Sequence, residues 1–264
     1  MSGTIEADQT KPVALVTGAR RGLGRGIAFS LARAGFDLVL MDLVDDEATK
    51  ITLEGVQELG GRAKFLQHDL ADIGNHAGFV KQAVAAFGRL DCLVNNAGIQ
   101  VPRRVGILEV EADEFDLVVD VNLRGTFFLT QEVARTMIST SSTSDQCTRS
   151  IILVTSANAV LASTDKAAYC LAKSALSMLT SLFALELGEH NIQVFEVRPG
   201  LITTDMTSSV REKYADYMNK NTLFGRWGEP GEVGRAVTAL VTGAIPYASG
   251  EVINVDGGMH IRRL

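Results

Sequence analysis

The chain has 264 residues, 46% of them hydrophobic and 21% charged, with a formal net charge of −6. That is enough apolar chain for a full core without disulfide or metal staples, and an acidic balance without a basic run argues against nucleic acid as a main partner, since phosphate neutralisation needs clustered Lys and Arg. Three scattered cysteines, Cys92, Cys147 and Cys170, form no Cys-x-x-Cys pair, which argues against a zinc site or redox dithiol and fits reduced thiols.

Residues 1–12 read as a flexible N-terminal arm ending at Pro12. They lack the basic start and apolar stretch of a secretory signal, and no apolar run approaches the roughly 18 residues needed to cross a bilayer. The expectation is a soluble, cytoplasmic protein with no membrane partner. From Val13 onward, short β-branched or apolar runs alternate with longer stretches of helical period. Strands are predicted at Val13–Thr17, Leu38–Asp42, Ala63–Gln67, Leu90–Val94, Ile151–Thr155, Gln193–Val197 and Val252–Val255. Helices are predicted near 23–34, 46–59, 72–87, 112–138, 166–188 and 230–242, with Gly35 just past the end of the first. Strands apolar on both faces are covered by helices on both faces. The pattern predicts an α/β fold: a single Rossmann-type domain over 13–264, a doubly wound sheet of seven parallel strands flanked by helices and joined by right-handed crossovers. Two stretches break the rhythm. Ser139–Ser150 is Ser/Thr-rich and reads as a solvated loop. Asp205–Gly228 is irregular, with a helical piece near 208–219, and is placed where a parallel sheet exposes a substrate lid.

After the first strand comes Thr17-Gly18-Ala19-Arg20-Arg21-Gly22-Leu23-Gly24, a variant of the dinucleotide-binding glycine turn. Gly18 permits the turn, Gly22 lets backbone approach a ligand, and Gly24 lets the helix pack on the sheet. The helix N-terminus at Gly22–Leu23 offers unpaired N–H groups and a positive dipole end to a pyrophosphate. Asp42, closing the second strand, can accept from the adenosine ribose hydroxyls. A carboxylate there, with Asp45, Asp46 and Glu47 behind it and Leu43 next, favours NAD over NADP. Arg21 is the counterweight: it could reach a 2′-phosphate, or it could pair with Asp42.

Tyr169 and Lys173 are four apart in a helical stretch, hence one turn apart on one face. A free tyrosine is too weak an acid to serve as a base at neutral pH. A nearby ammonium favours the phenolate and lowers its pKa. Ser156 ends the fifth strand, at the carboxyl edge where open α/β sheets bind ligands, and can orient a substrate oxygen. The four histidines, His68, His76, His190 and His260, show no metal spacing, so no metal is expected.

Together these residues resemble the short-chain dehydrogenase/reductase family over about residues 12–258. The matching features are Thr17-Gly18-x-x-x-Gly22-x-Gly24, Asp42, Asp69-Leu70, Asn95-Asn96-Ala97-Gly98, Asn122, Ser156, Tyr169-x-x-x-Lys173, Pro199-Gly200 and Asp256-Gly257-Gly258. The resemblance implies that Asp69 and Leu70 hold the adenine ring, and that Asn96 and Ala97 line the ribose and steady the central strand. It implies that Asn122 interrupts its helix and positions a water linked to Lys173. Ser156 would stabilise the substrate oxygen, Tyr169 act as acid or base, and Lys173 bind the nicotinamide ribose. Pro199, Gly200, Ile202 and Thr204 would contact the nicotinamide end. The chain looks most like members known as 3-oxoacyl-(acyl-carrier-protein) reductases, through VNLRGTFFLTQ, YCLAKSALSM, EVRPGLITTDM and RWGEP. It would then interconvert a secondary alcohol and a ketone with NAD, or with NADP. An NAD-linked sugar or polyol dehydrogenase is the rival, and a non-enzymatic dinucleotide sensor a further one. The implied assembly is a homotetramer, with Gly257–Leu264 near its interface. The substrate pocket would be built from Asn158–Ala162, the 205–228 lid, and Gln100, Arg103 and Arg104. Tyr214, Tyr217, Met218 and Trp227 would shape that pocket or a subunit contact.

Overall fold

The computed structural model describes residues 11–140, 148–204, 207 and 215–262. Its strands are β1 (Val13–Thr17), β2 (Asp37–Asp42), β3 (Ala63–Gln67), β4 (Cys92–Asn95), β5 (Ser150–Val154), β6 (Gln193–Pro199) and β7 (Val252–Val255). They form one seven-stranded sheet in the order β3-β2-β1-β4-β5-β6-β7, parallel at every pairing. The helices are α1 (Gly22–Arg33), α2 (Glu47–Glu58), α3 (His76–Phe87), α4 (Ala112–Val119), α5 (Thr126–Ser139), α6 (Ala167–Leu187), α7 (Ala215–Asn221) and α8 (Pro230–Val241). The expected doubly wound α/β architecture is what forms.

Period-two alternation in β1 explains the layering. Ala14 and Val16 pack into one core with Ile27 and Leu31 of α1 and Val237 and Leu240 of α8. Val13 and Leu15 point the other way, to Phe79 of α3 and Leu129, Val133 and Met137 of α5. Strand order reverses between β1 and β4, and the crevice outside their carboxyl ends is where open α/β sheets bind ligands.

The structure departs from the predicted elements at specific places. The 112–138 helix is interrupted by a wide π turn over Asp120–Gly125. β4 begins at Cys92 rather than Leu90 because Asp91 is a clamp: its carboxylate accepts the Val13 N–H at 2.9 Å and is bound by Arg89 at 2.6 Å. The third helix starts at His76 rather than 72, behind a short 3₁₀ turn at Ile73–Asn75. Ser150 belongs to β5, not to the solvated loop; it is fully buried and pairs with Cys92 and Gln193. Residues 141–147 of that segment lie outside the described residues. So do residues 1–10 of the predicted arm, while its end is anchored: Pro12 accepts the Asp37 N–H at 2.9 Å and Lys11 Nζ donates to the Gly60 carbonyl at 3.0 Å. One apolar stretch was underestimated from the sequence. Thr164–His190 is long and apolar enough to cross a bilayer by length and composition; in the fold its Ala172, Leu176, Leu179 and Leu187 are buried against the domain.

Candidate active site

On the β1 side, a hydroxyl organises the glycine turn. Thr17 Oγ1 accepts the N–H groups of Asn96 at 3.0 Å and Ala97 at 2.9 Å. Asn96 Nδ2 returns bonds to the carbonyls of Thr17 at 2.9 Å and Gly18 at 3.2 Å. The turn after β1 is thereby stitched to the turn after β4 across the reversal in strand order. Two glycines are sterically required. A Cβ on Gly24 would stand 2.1 Å from the Gly18 carbonyl oxygen, and one on Gly18, whose φ is +64°, would stand 2.9 Å from Ala97 Cα. α1 then begins at Gly22 with no side-chain cap and no acid in its first turn. Its leading N–H groups, at Gly22, Leu23 and Gly24, fit a pyrophosphate. Thr204 borders Gly22 on the opposite side of the cradle.

Asp42 ends β2 as expected, but its cationic neighbour is Arg20, not Arg21. Asp42 Oδ2 accepts the Arg20 N–H at 3.2 Å, and Oδ1 accepts the Leu43 N–H at 2.9 Å and faces Arg20 Nε at 3.7 Å. Arg20 also pairs with Asp46, the N-cap of α2. Arg21 is exposed at the N-cap of α1. The turn directs two consecutive arginines to different places, and only one meets the acid. Asp69 is exposed, with Oδ1 accepting the Ala71 N–H at 2.9 Å; Leu70 is buried. These donors, acceptors and close-approach glycines suit a dinucleotide.

The second group of residues lies beyond β4 and β5. Asn122 occupies the π turn, fully buried, and holds the Ile99 backbone at both ends: Oδ1 accepts its N–H at 2.7 Å and Nδ2 donates to its carbonyl at 2.9 Å. Lys173 Nζ is also at this spot. A Cβ on Gly98 would lie 3.0 Å from Asn122 Oδ1 and 3.5 Å from Lys173 Nζ, so a side chain there would crowd both. Lys173 donates to the Val154 carbonyl at 3.1 Å, and its Nζ stands 5.8 Å from the Tyr169 ring centre. The Tyr169 ring packs beside Val118, Ala168 and Ala172. Ser156 Oγ accepts the Asn158 N–H at 3.1 Å. The residues expected at the nicotinamide end follow β6. Pro199 is buried, Gly200 donates to the Val255 carbonyl at 3.0 Å, Ile202 bridges to Gly228, and Thr204 donates its N–H to Thr207 Oγ1 at 2.9 Å. Of the lid, 205–206 and 208–214 lie outside the described residues, Tyr214 with them. Met218 is buried, whereas Tyr217 is exposed.

The electrostatics correct one expectation. Burial pushes the Tyr169 phenol above its ordinary range, with Ser156 hydrogen bonding acting the other way. Burial also brings Lys173 down to about 8, partly offset by the Glu196 carboxylate. The direction is opposite to the lowering expected from the lysine: desolvation is the largest influence on the phenol, and Lys173 is not among the influences resolved. Glu196 was not anticipated from the sequence. It is fully buried on β6, where its carboxylate accepts from Thr155 Oγ1 at 2.5 Å, Ser177 Oγ at 2.9 Å and Arg198 Nε at 2.5 Å. Ser177 is one turn beyond Lys173 on α6. The available signal was a carboxylate and a guanidinium two residues apart in an apolar strand, which must share a face.

Known proteins supply the family. A family model described as enoyl-(acyl carrier protein) reductase matches residues 18–260. The chain belongs to the short-chain dehydrogenase/reductase family. Among its relatives, 2-dehydro-3-deoxy-D-gluconate 5-dehydrogenase of Dickeya dadantii is 37% identical over 251 residues, covering 93% of this chain and 94% of that protein. The 3-oxoacyl-(acyl-carrier-protein) reductase of Staphylococcus aureus is 32% identical, covering 94% and 98%. A crystal structure of a 3-oxoacyl-(acyl-carrier-protein) reductase from Brucella melitensis in complex with NAD superposes with a TM-score of 0.92 at 41% identity, covering 97% of this chain and 99% of that one. An Agrobacterium tumefaciens structure described as a 2-deoxy-D-gluconate 3-dehydrogenase, with bound NADP, gives 0.85 at 31% identity, covering 98% and 100%. As a short-chain dehydrogenase/reductase the protein is an oxidoreductase acting on CH–OH groups of small molecules with a nicotinamide dinucleotide. The sensor reading falls away.

Proposed function

We propose that this short-chain dehydrogenase/reductase is NAD-linked and interconverts a secondary alcohol and a ketone, with Tyr169 moving the proton. The observation that carries the cofactor choice is Asp42. Its carboxylate closes β2 with backbone N–H groups on both oxygens, and its neighbouring cation, Arg20, is shared with Asp46. A 2′-phosphate would meet that carboxylate at close range, whereas ribose hydroxyls would donate to it. The bound nicotinamide supplies the hydride acceptor or donor. The chain supplies the rest. In the oxidative direction Ser156 Oγ hydrogen-bonds the substrate oxygen, the Lys173 ammonium stabilises Tyr169 as the phenolate, and Tyr169 Oη takes the substrate's proton and becomes the neutral phenol. Asn122 holds the Ile99 segment against Lys173.

Gly18, Gly22, Leu23 and Gly24 hold the pyrophosphate; Asp69, Leu70, Asn96, Ala97 and Gly98 hold the adenosine half and the floor of the cleft. Pro199, Gly200, Ile202 and Thr204 border the nicotinamide. Arg21, exposed beside the cradle, keeps NADP as a weaker second cofactor. The test is steady-state kinetics with both dinucleotides. Wild type should favour NAD by about tenfold or more in kcat/KM, and Asp42→Ala should erase most of that ratio, about 1 kcal/mol or more of discrimination. An equal or reversed wild-type ratio refutes the NAD reading.

A second reading concerns the substrate. Similarity to the Brucella and Staphylococcus reductases favours a 3-oxoacyl thioester, and similarity to the Dickeya enzyme favours a sugar acid. A homotetramer is proposed with them: α6 leaves Leu171, Met178, Leu182 and Leu185 exposed, an apolar stripe suited to another copy of the chain.

A further inference from the structure

Lys166 stands at the entrance to α6, three residues before Tyr169, and its surroundings differ from those of Arg103 and Arg104 at this mouth. Its Nζ donates to Asn158 Oδ1 at 2.9 Å. Asn158 gives its backbone N–H to Ser156 Oγ at 3.1 Å and its Nδ2 to the Leu161 carbonyl at 2.9 Å. One side chain thus separates an ammonium from the hydroxyl expected to hold the substrate oxygen. The acid beside Lys166 in the chain is engaged elsewhere: Asp165 bonds Ser163 through one oxygen and faces Arg104 at 3.4 Å through the other. Arg103 is bound by both Glu111 and Glu114. Lys166 Nζ hydrogen-bonds a neutral amide oxygen and reaches Asp165 only through space, a carboxylate already engaged by Ser163 and Arg104.

A partly buried ammonium resting on a neutral acceptor loses hydration without gaining a hydrogen-bonded ion pair, since Asp165 acts on Lys166 only through space. A substrate carboxylate would provide that pair through a charge-assisted hydrogen bond, and the flexible lysine stem allows Nζ to turn from Asn158 toward it. We propose that Lys166 is the substrate-recognition residue of this enzyme, binding the free carboxylate of a hydroxy acid or oxo acid whose reacting carbon lies against Ser156 and Tyr169. The substrate class is then an anionic sugar acid or short hydroxy acid, rather than a neutral polyol or a carrier-bound thioester. The inference rests on the oxidoreductase reading above and narrows it.

The test pairs each acid with its uncharged counterpart. Gluconate and 3-hydroxybutyrate, each with its primary amide, are assayed with NAD and NADP beside sorbitol and a 3-hydroxyacyl thioester, using wild type, Lys166→Gln and Lys166→Arg. Wild type should prefer an acid over its amide by about tenfold or more in kcat/KM, expressed mainly in KM. Lys166→Gln should bring that acid-to-amide ratio below about threefold, and Lys166→Arg should retain most of it. A residue that merely braced the Asn158 loop would lower both members of a pair alike and leave the ratio intact; that result overturns the inference. Turnover confined to sorbitol or the thioester overturns it while leaving the oxidoreductase reading standing. Turnover of nothing in the panel, with either dinucleotide, counts against both.

Discussion

The two sides of the cleft are built differently. The side proposed for the dinucleotide, from β1 to the turn after β4, is made largely of backbone: glycines without room for a methyl, a helix end with bare N–H groups, and one threonine hydroxyl stitching two turns together. The substrate side is made of side chains. Asn122 comes from the π turn, Ser156 from just beyond β5, and Lys166, Tyr169 and Lys173 from the start of α6, with burial shifting the ionisation of Tyr169 and Lys173. The first side recognises a constant ligand, so rigid backbone geometry suffices. The second, on the proposed reading, moves a proton and selects a substrate, which needs groups whose ionisation and identity can vary.

The sharpest challenge to this contrast is Tyr169→Phe. Removing one oxygen from the substrate side should cut kcat by about 10³-fold or more, leaving NAD affinity by calorimetry within about threefold of wild type. Retained turnover would show that proton transfer does not run through this phenol. The complementary break is Gly24→Ala. A single methyl on the dinucleotide side would stand 2.1 Å from the Gly18 carbonyl and 2.7 Å from Asn96 Nδ2. The expected result is at least about tenfold weaker NAD binding and a melting temperature lowered by several degrees, on the order of 2 °C per kcal/mol of overpacking strain. Unchanged binding and melting would mean that the cradle is more pliable than its packing implies.

The smallest effect sharpens the electrostatic side of the comparison. Burial holds Lys173 near 8, below its ordinary 10.5. Between those values the unfolded chain binds more protons than the folded one, so stability rises with pH across that window and the full cost of burying the lysine is present at pH 7. Lys173→Met should therefore be inactive yet melt a few degrees higher at pH 7, by about 2–4 °C per kcal/mol recovered, with the gain shrinking toward pH 10. Calorimetry at the two pH values checks it; a variant that melts lower at pH 7 would show that the lysine's bond to the Val154 carbonyl outweighs its desolvation.

The same contrast governs what could be read from sequence. The inner strands were legible because each is a short, mostly apolar run buried on both faces, the part-buried edge strands β3 and β7 because they recur in the same strand–helix alternation, and the glycine turn because only glycine satisfies its sterics. Element edges were less so. Asp91 ends a loop rather than starting a strand because its carboxylate is spent on Val13, a partner 78 residues away. Arg20 and Arg21 could not be told apart in one dimension, since the path of the turn decides which guanidinium faces Asp42. Tyr169 and Lys173 were placed correctly on one helix face, but their ionisation was not, because helical spacing reports proximity and says nothing of desolvation.

By itself, the sequence determined the parallel α/β sheet, the dinucleotide cradle and the residues that gather at the carboxyl ends of β4 and β5. Period-two and 3.6-residue patterns, glycine sterics and local spacing are properties of the chain near each residue. Only the tertiary structure decided which arginine meets Asp42, that Glu196 lies within electrostatic reach of Lys173, and that Lys166 rests on Asn158 beside Ser156. Those outcomes depend on burial and on contacts between distant segments, and a charge acquires its partner and its pKa only once the fold has excluded water around it.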